Sequence, residues 1–175
     1  MYTRDYIMRM IEQLAQVLAR VIFHKNLYDY PKALDEIRSG GKNLVGIDWA
    51  AFVGLSDKDM IDIIRVPASD DARLYTLAAD LLVAEADIRS LQENDDVAWT
   101  RNVCAFSLYC ETLKVVPSAE IEGKAEEVLR LIEGYELPPW IEEKRIAFRN
   151  KTLLATTSLQ TGYSLVQPRH RDTPM

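Results

Sequence analysis

Histidine and cysteine, the side chains that most often bind metals or act as nucleophiles, are scarce in this 175-residue chain. The chain has two of each, namely His24, His170, Cys104 and Cys110. Neither histidine has a second histidine four residues away or a glutamate three residues before it, so the spacings of helical zinc and di-iron sites are absent. The cysteines also lack the short spacing of structural zinc sites. We therefore assign no catalytic, metal-binding or cofactor-binding residue from the sequence.

The two cysteines lie on one predicted helix, where they are separated by about 120° around the axis. They cannot form a disulfide with each other there, and both are flanked by apolar residues, which predicts small buried side chains. The N-terminus carries charged residues, among them Arg4, Asp5 and Arg9, where a signal peptide needs an apolar segment. We therefore expect a protein of the reducing cytoplasm.

Three acidic pairs and one glycine pair are the remaining candidates for ligand chemistry. The acidic pairs are Asp57/Asp59, Asp70/Asp71 and Asp95/Asp96. Such carboxylates suit hard cations, but each pair also begins a predicted helix, where negative charge complements the helix dipole. This second explanation covers all three pairs. Gly40-Gly41-Lys42 has the Gly-Lys of a phosphate-binding loop without its leading glycine or its Ser/Thr. We interpret the glycine pair as the end of a helix.

The charge of the chain is negative overall and unevenly distributed. The net charge is −6, with +1 in residues 1–54, −10 in residues 55–138 and +3 in residues 139–175. An acidic protein is a poor match for duplex nucleic acid, so we expect no nucleic-acid partner. No apolar run approaches 18 residues, which predicts no integral membrane segment. The acidic middle and the basic end can also attract each other, within one chain or between chains.

Helical periodicity dominates the sequence, which predicts an all-α fold of about eight helices. The expected helices cover residues 3–25, 27–38, 47–53, 56–65, 69–92, 94–116, 118–134 and 138–151. Short turns join them, as in tetratricopeptide-like helical hairpins or an irregular helical array. We predict one helical domain over residues 1–151. Residues 152–175 are expected to form a C-terminal tail or extended arm that packs on the domain or on a partner chain.

The first helix has the most unusual pattern. Its polar residues fall in one narrow strip, and its apolar arc spans roughly 220°, against about 100° for a helix that docks on a single surface. Such a helix must be covered from two sides, either entirely by the protein's own helices or partly by a second subunit. The candidate interface residues on this arc are Ile7, Met10, Ile11, Leu14, Val17, Leu18 and Val21.

The run from Asp5 to Leu14, with its continuation from Val17 to Phe23, resembles the opening helix of a family of small bacterial proteins of unknown function. The resemblance is good over about 25 residues and architectural up to about residue 135. It implies an N-terminal helix followed by tetratricopeptide-like hairpins, a bacterial cytoplasmic origin and no known activity. No functional residue is carried over from it.

The sequence thus favours a non-enzymatic helical protein–protein interaction module that associates with itself, with a homodimer expected. Two alternatives remain open at this point. One is an enzyme or small-ligand binder whose site is built from scattered polar residues in a helical cleft. The other is peripheral membrane association through the N-terminal helix, whose mixed-charge polar face is unlike the basic face typical of such helices.

Overall fold

A computed structural model describes residues 4–68 and 71–162 of the chain, and these ranges contain helices and no strand. This confirms the predicted all-α class and the predicted number of helices. The helices are α1 (Arg4–Asn26), α2 (Tyr30–Val45), α3 (Trp49–Phe52), α4 (Asp57–Ala68), α5 (Arg73–Leu91), α6 (Asp95–Val115), α7 (Ala119–Ile132) and α8 (Pro139–Gly162).

Helices α1 and α2 form an antiparallel hairpin. A short turn joins them at Tyr28, which adopts a left-handed backbone conformation with φ 57°. The Asp29 amide closes the end of α1 by donating to the His24 carbonyl at 2.9 Å. Further along the pair, Arg20 Nε donates to Glu36 Oε2 at 2.8 Å. The hairpin therefore has a defined register despite lacking glycine in its turn.

The glycine pair predicted to end the second helix lies inside α2 instead. The prediction was wrong because these glycines serve packing rather than helix termination. A Cβ atom on Gly40 would lie 2.7 Å from Val17 Cγ1, and one on Gly41 would lie 2.1 Å from Trp49 Cε3. Only glycine lets the neighbouring side chains come this close. The helix ends five residues later at Gly46, which has the left-handed conformation typical of a helix C-cap, with φ 76°.

Helices α5 and α6 form a second antiparallel hairpin, and α6 also packs against α7. Every residue from Asn102 to Leu113 is buried, so this stretch of α6 is enclosed all around its axis. Ser118 caps the following helix, because its hydroxyl accepts the Ile121 amide proton at 3.3 Å. The central helix of this part of the chain is therefore flanked by α5 and α7.

Helices α1 and α5 run parallel to each other. Near their starts, Arg73 Nη1 lies 3.4 Å from Met8 Sδ. Near their ends, Lys25 Nζ lies 3.4 Å from Asp87 Oδ2. The first helices of the two hairpins thus lie side by side in the same direction, which creates a continuous surface from α1 to α5.

The chain divides into two compact units, Met1–Leu137 and Pro138–Met175. The second unit contains α8, which begins after Pro138 as expected and continues to Gly162. The predicted boundary at residue 151 therefore falls inside a helix, and the predicted extended arm is helical from residue 152 to residue 162. The remainder of the predicted tail, with His170, lies outside the described residues.

Candidate functional site

The candidate interface residues of α1 separate into two neighbouring rows. Five of them are buried within the protein's own core and form the inner row, which comprises Ile7, Met10, Leu14, Val17 and Val21. Their spacing alternates between three and four residues, so they share one face of the helix. This face packs towards α2 and α5. Its most buried members are Leu14 and Val21, each with only 2% of its surface exposed.

The other two candidates, Ile11 and Leu18, belong to a second row beside the first. This outer row comprises Met8, Ile11, Ala15, Leu18 and Ile22, with the same alternation of three and four residues. Ile11 and Leu18 are half-buried, and Ala15 is exposed. Met8 is 38% exposed and Ile22 is 53% exposed. The outer row is therefore an apolar stripe that the described part of the chain leaves largely uncovered.

A groove of about 610 Å³ adjoins the outer row. Helices α1, α5, α6 and α7 all contribute to its walls. Its lining consists of Ile11, Asp71, Ala72, Arg73, Thr76, Leu77, Asp80, Thr112, Val116, Ser118, Glu120, Ile121 and Lys124. Ile11 of the outer row forms part of one wall, so the stripe and the groove share this residue.

The mouth of the groove near α1 carries an ion pair. Arg73 Nη2 lies 2.5 Å from Asp71 Oδ2, and the Arg73 backbone amide donates to Asp71 Oδ1 at 3.1 Å. These hydrogen bonds from Arg73 lower the pKa of Asp71, because they stabilise its charged form. Since the same guanidinium lies against Met8 Sδ, the ion pair stands at the edge of the outer row.

The polar groups deeper in the groove bond to one another. The Tyr109 hydroxyl donates to Asp80 Oδ1 at 2.6 Å, and Lys124 Nζ lies 3.1 Å from both oxygens of the same carboxylate. Burial and the adjacent Asp80 charge raise the pKa of Tyr109, which keeps the phenol protonated. The hydroxyls of Thr76 and Thr112 lie 3.1 Å apart. This arrangement ties α5, α6 and α7 together, because each helix contributes a bonded group.

A buried carboxylate on α5 was not singled out from the sequence. Glu85 is only 4% exposed, and its Oε2 accepts a hydrogen bond from Trp49 Nε1 at 2.9 Å. Arg101 Nε lies 3.0 Å from the same oxygen, and Arg89 Nη2 lies 3.4 Å from Oε1. The two arginines compensate the buried charge, so this cluster links α3, α5 and α6 as a structural element.

The remaining chemical candidates take ordinary structural positions. Cys104 and Cys110 are buried, as predicted, and burial raises the pKa of Cys104 to about 11. The acidic pairs at residues 57/59 and 95/96 lie in the first turns of α4 and α6, which confirms their predicted position. Asp57 also accepts a hydrogen bond from the Ser107 hydroxyl. Within the described ranges, no three His, Cys, Asp or Glu side chains are grouped as metal ligands.

Comparison with known proteins gives a family for the chain. The profile of DUF6483, a family of unknown function, matches residues 1–131. The chain belongs to the DUF6483 family. No curated protein and no solved structure matches it.

The DUF6483 match covers α1 to α6 and nearly all of α7. It therefore includes both rows of α1, the groove and the Glu85 cluster, whereas α8 lies beyond the matched residues. Among the described helices of this DUF6483 protein, each is too short or too polar to span a bilayer.

Proposed function

We propose that this DUF6483 protein is a non-enzymatic helical interaction module that associates with itself through the outer row of α1. The observation that carries the proposal is the presence of two parallel apolar rows on one helix, of which only the inner row is used by the core. A scattered exposed apolar residue is ordinary on a protein surface, but a heptad-like stripe of them is typical of helix docking.

Burial of the outer row contributes part of the free energy of an interface. Burying the exposed parts of Met8 and Ile22 contributes about 1 kcal/mol for each side chain. Ile11 and Leu18 add further apolar area, and Ala15 allows close approach of a second helix at the middle of the stripe. These contributions apply once in each copy, so a symmetric pair gains them twice.

The arrangement of the hairpins supports the same function. Because α1 and α5 lie parallel and begin successive antiparallel hairpins, we propose that the chain is built as a short stack of tetratricopeptide-like hairpins. In such stacks the first helices of the hairpins line a concave surface that binds other polypeptides. The groove occupies this position here. Bonded polar groups on α5, α6 and α7 hold its walls together.

The proposal is tested with a charge placed on the outer row and a matched charge placed beside it. Ile22→Glu puts a carboxylate into the stripe, whereas Gln16→Glu puts one on an exposed position of α1 outside the stripe. We expect the first variant to be monomeric and the second to associate like the wild type, as measured by sedimentation velocity. Both variants are expected to keep the wild-type helix content in circular dichroism, because neither position is buried.

The inner row provides the contrast to this experiment. Leu14→Glu places an unpaired charge in the core and is expected to unfold the protein. If Ile22→Glu leaves association unchanged while the helix content is preserved, self-association through the outer row is wrong. If Ile22→Glu instead unfolds the protein as Leu14→Glu does, the stripe belongs to the core and the proposal also fails.

A further inference from the structure

We propose that a pocket between the start of α6 and the turn after α7 binds a small organic cation of the alkylammonium class. This pocket, which we call the aromatic pocket, has a volume of about 420 Å³ and shares no lining residue with the groove. Its lining consists of Asp95, Asp96, Trp99, Thr100, Tyr135 and Glu136. The inference goes beyond the proposed function, because it does not depend on the outer row of α1.

Two aromatic side chains form a corner of the aromatic pocket. The rings of Trp99 and Tyr135 are inclined at 62° to each other, with their centroids 6.0 Å apart. A cation within about 6 Å of a ring centroid is attracted to the electron-rich face, and two inclined rings allow contact with both. Tyr135 is 61% exposed, so a small molecule can reach the corner from solvent. The Nε1 atom of Trp99 is buried without a hydrogen-bond partner in the described ranges, so this ring also has an unused donor.

The charge of the aromatic pocket favours a cation. The carboxylates of Asp95, Asp96 and Glu136 line it, and its lining contains no lysine or arginine. None of these carboxylates forms an ion pair with another described residue. In the groove, by contrast, the Asp80 carboxylate is compensated by Lys124. The positive end of the α6 dipole offsets only about half a unit charge, so the pocket keeps a negative field.

The combination of rings and separated carboxylates distinguishes an organic cation from a metal ion. A metal ion needs several oxygen ligands in direct contact with it. No such group of His, Cys, Asp or Glu side chains is present in the part of the chain that the structure describes. An alkylated ammonium group needs only a negative field and the faces of aromatic rings. The aromatic pocket provides this second combination.

NMR titration of the full chain with choline chloride tests the inference, because choline combines a quaternary ammonium head with a hydroxyl oxygen. We expect the indole N–H signal of Trp99 to shift and to saturate in the millimolar range. The signal of Trp49, which is buried against Glu85, is expected to stay in place. Sodium chloride at the same ionic strength is the reference. The neutral alcohol of the same shape, in which carbon replaces the nitrogen, is expected to bind about tenfold more weakly.

A pair of tyrosine variants completes the experiment. Tyr135→Ala removes one ring of the corner and is expected to weaken choline binding about fivefold, while an unchanged Trp49 signal shows that the variant is folded. Tyr28→Ala is the matched control, because Tyr28 is 80% exposed and lies outside the aromatic pocket. The inference is overturned if Tyr135→Ala binds choline as the wild type does or if the neutral alcohol binds equally well. It is also overturned if choline moves the Trp99 signal no further than sodium chloride. These results leave the proposed self-association untouched.

Discussion

At the scale of single residues, the close contact between α2 and Trp49 depends on the absence of a side chain at Gly41. Gly41 lies against the Trp49 ring at a distance that no Cβ atom tolerates. We predict that Gly41→Ala destabilises the protein by about 3 kcal/mol, because the added methyl group overpacks the core. Gly123 is the matched control, since nothing lies within 4 Å of its Cβ position in α7. There, Gly→Ala is expected to stabilise by about 0.5 kcal/mol.

Urea unfolding of the two glycine variants measures both effects. The free energy of unfolding is expected to fall for Gly41→Ala, because that position is crowded. It is expected to rise for Gly123→Ala, because that position is open on an exposed helix face. Equal effects of the two substitutions would show that the contact between α2 and Trp49 yields to the extra methyl group.

The buried Glu85 leads to a second prediction at this scale. Glu85→Ala removes the acceptor for Trp49 and leaves Arg101 without its counter-charge. We expect a loss of about 3 kcal/mol in the free energy of unfolding. Asp87→Ala is the control, because the ion pair of Asp87 with Lys25 is exposed and contributes under about 1 kcal/mol. Denaturant unfolding distinguishes them, and similar small losses for both would contradict a structural role of the cluster.

Neither residue was predictable from the sequence, for a common physical reason. Two adjacent glycines look the same in the sequence whether they end a helix or make room for a neighbouring ring. The ring that lies against Gly41 belongs to Trp49, which is in another helix. Likewise, Glu85 stands in a helical pattern where glutamate is ordinarily exposed. Its burial depends on Arg101, which comes from a different helix. Local patterns describe the chain's own conformation and do not identify its neighbours.

At the scale of helices, the turns between hairpin helices contain residues with an unfavourable backbone conformation. Glu93 has φ 59° directly after α5, a left-handed conformation that glycine adopts more easily than any other residue. The turn is held by the Asn94 amide, which donates to the Arg89 carbonyl at 2.9 Å. We predict that Glu93→Gly stabilises the protein by about 1 kcal/mol.

Thermal or urea unfolding tests this prediction against Gln92→Gly. Gln92 has φ −91°, so glycine brings no conformational relief there and only adds freedom to the unfolded chain. That variant is expected to be slightly destabilised. A loss of stability in Glu93→Gly equal to that in Gln92→Gly would show that the glutamate side chain contributes more to the turn than its backbone costs.

Most helix boundaries were predictable because capping chemistry is local. The first helix was expected over residues 3–25 and covers Arg4–Asn26, and the helix expected over residues 118–134 covers Ala119–Ile132. The site was only partly predictable. Both rows of α1 have the same spacing, so the sequence predicted that this helix needs covering on two sides. It did not show which row faces the core, because that depends on where α2 and α5 lie.

At the scale of the whole molecule, the groove arises from helices that are far apart in the sequence. Lys124 and Asp80 meet in space although 44 residues separate them. The packing of α5 and α7 against α6 produces this meeting, and no local pattern in the sequence indicates it. The groove adjoins the outer row of α1, and α1 and α5 run parallel beside each other, which is why we propose an interaction module.

The central claim concerns what covers the outer row, and light scattering of the intact wild-type chain over a wide concentration range tests it most directly. The account predicts a mass that rises to twice the 20.0 kDa of one chain, and a mass that stays at one chain for Ile22→Glu. A wild-type mass of one chain at every concentration would contradict it.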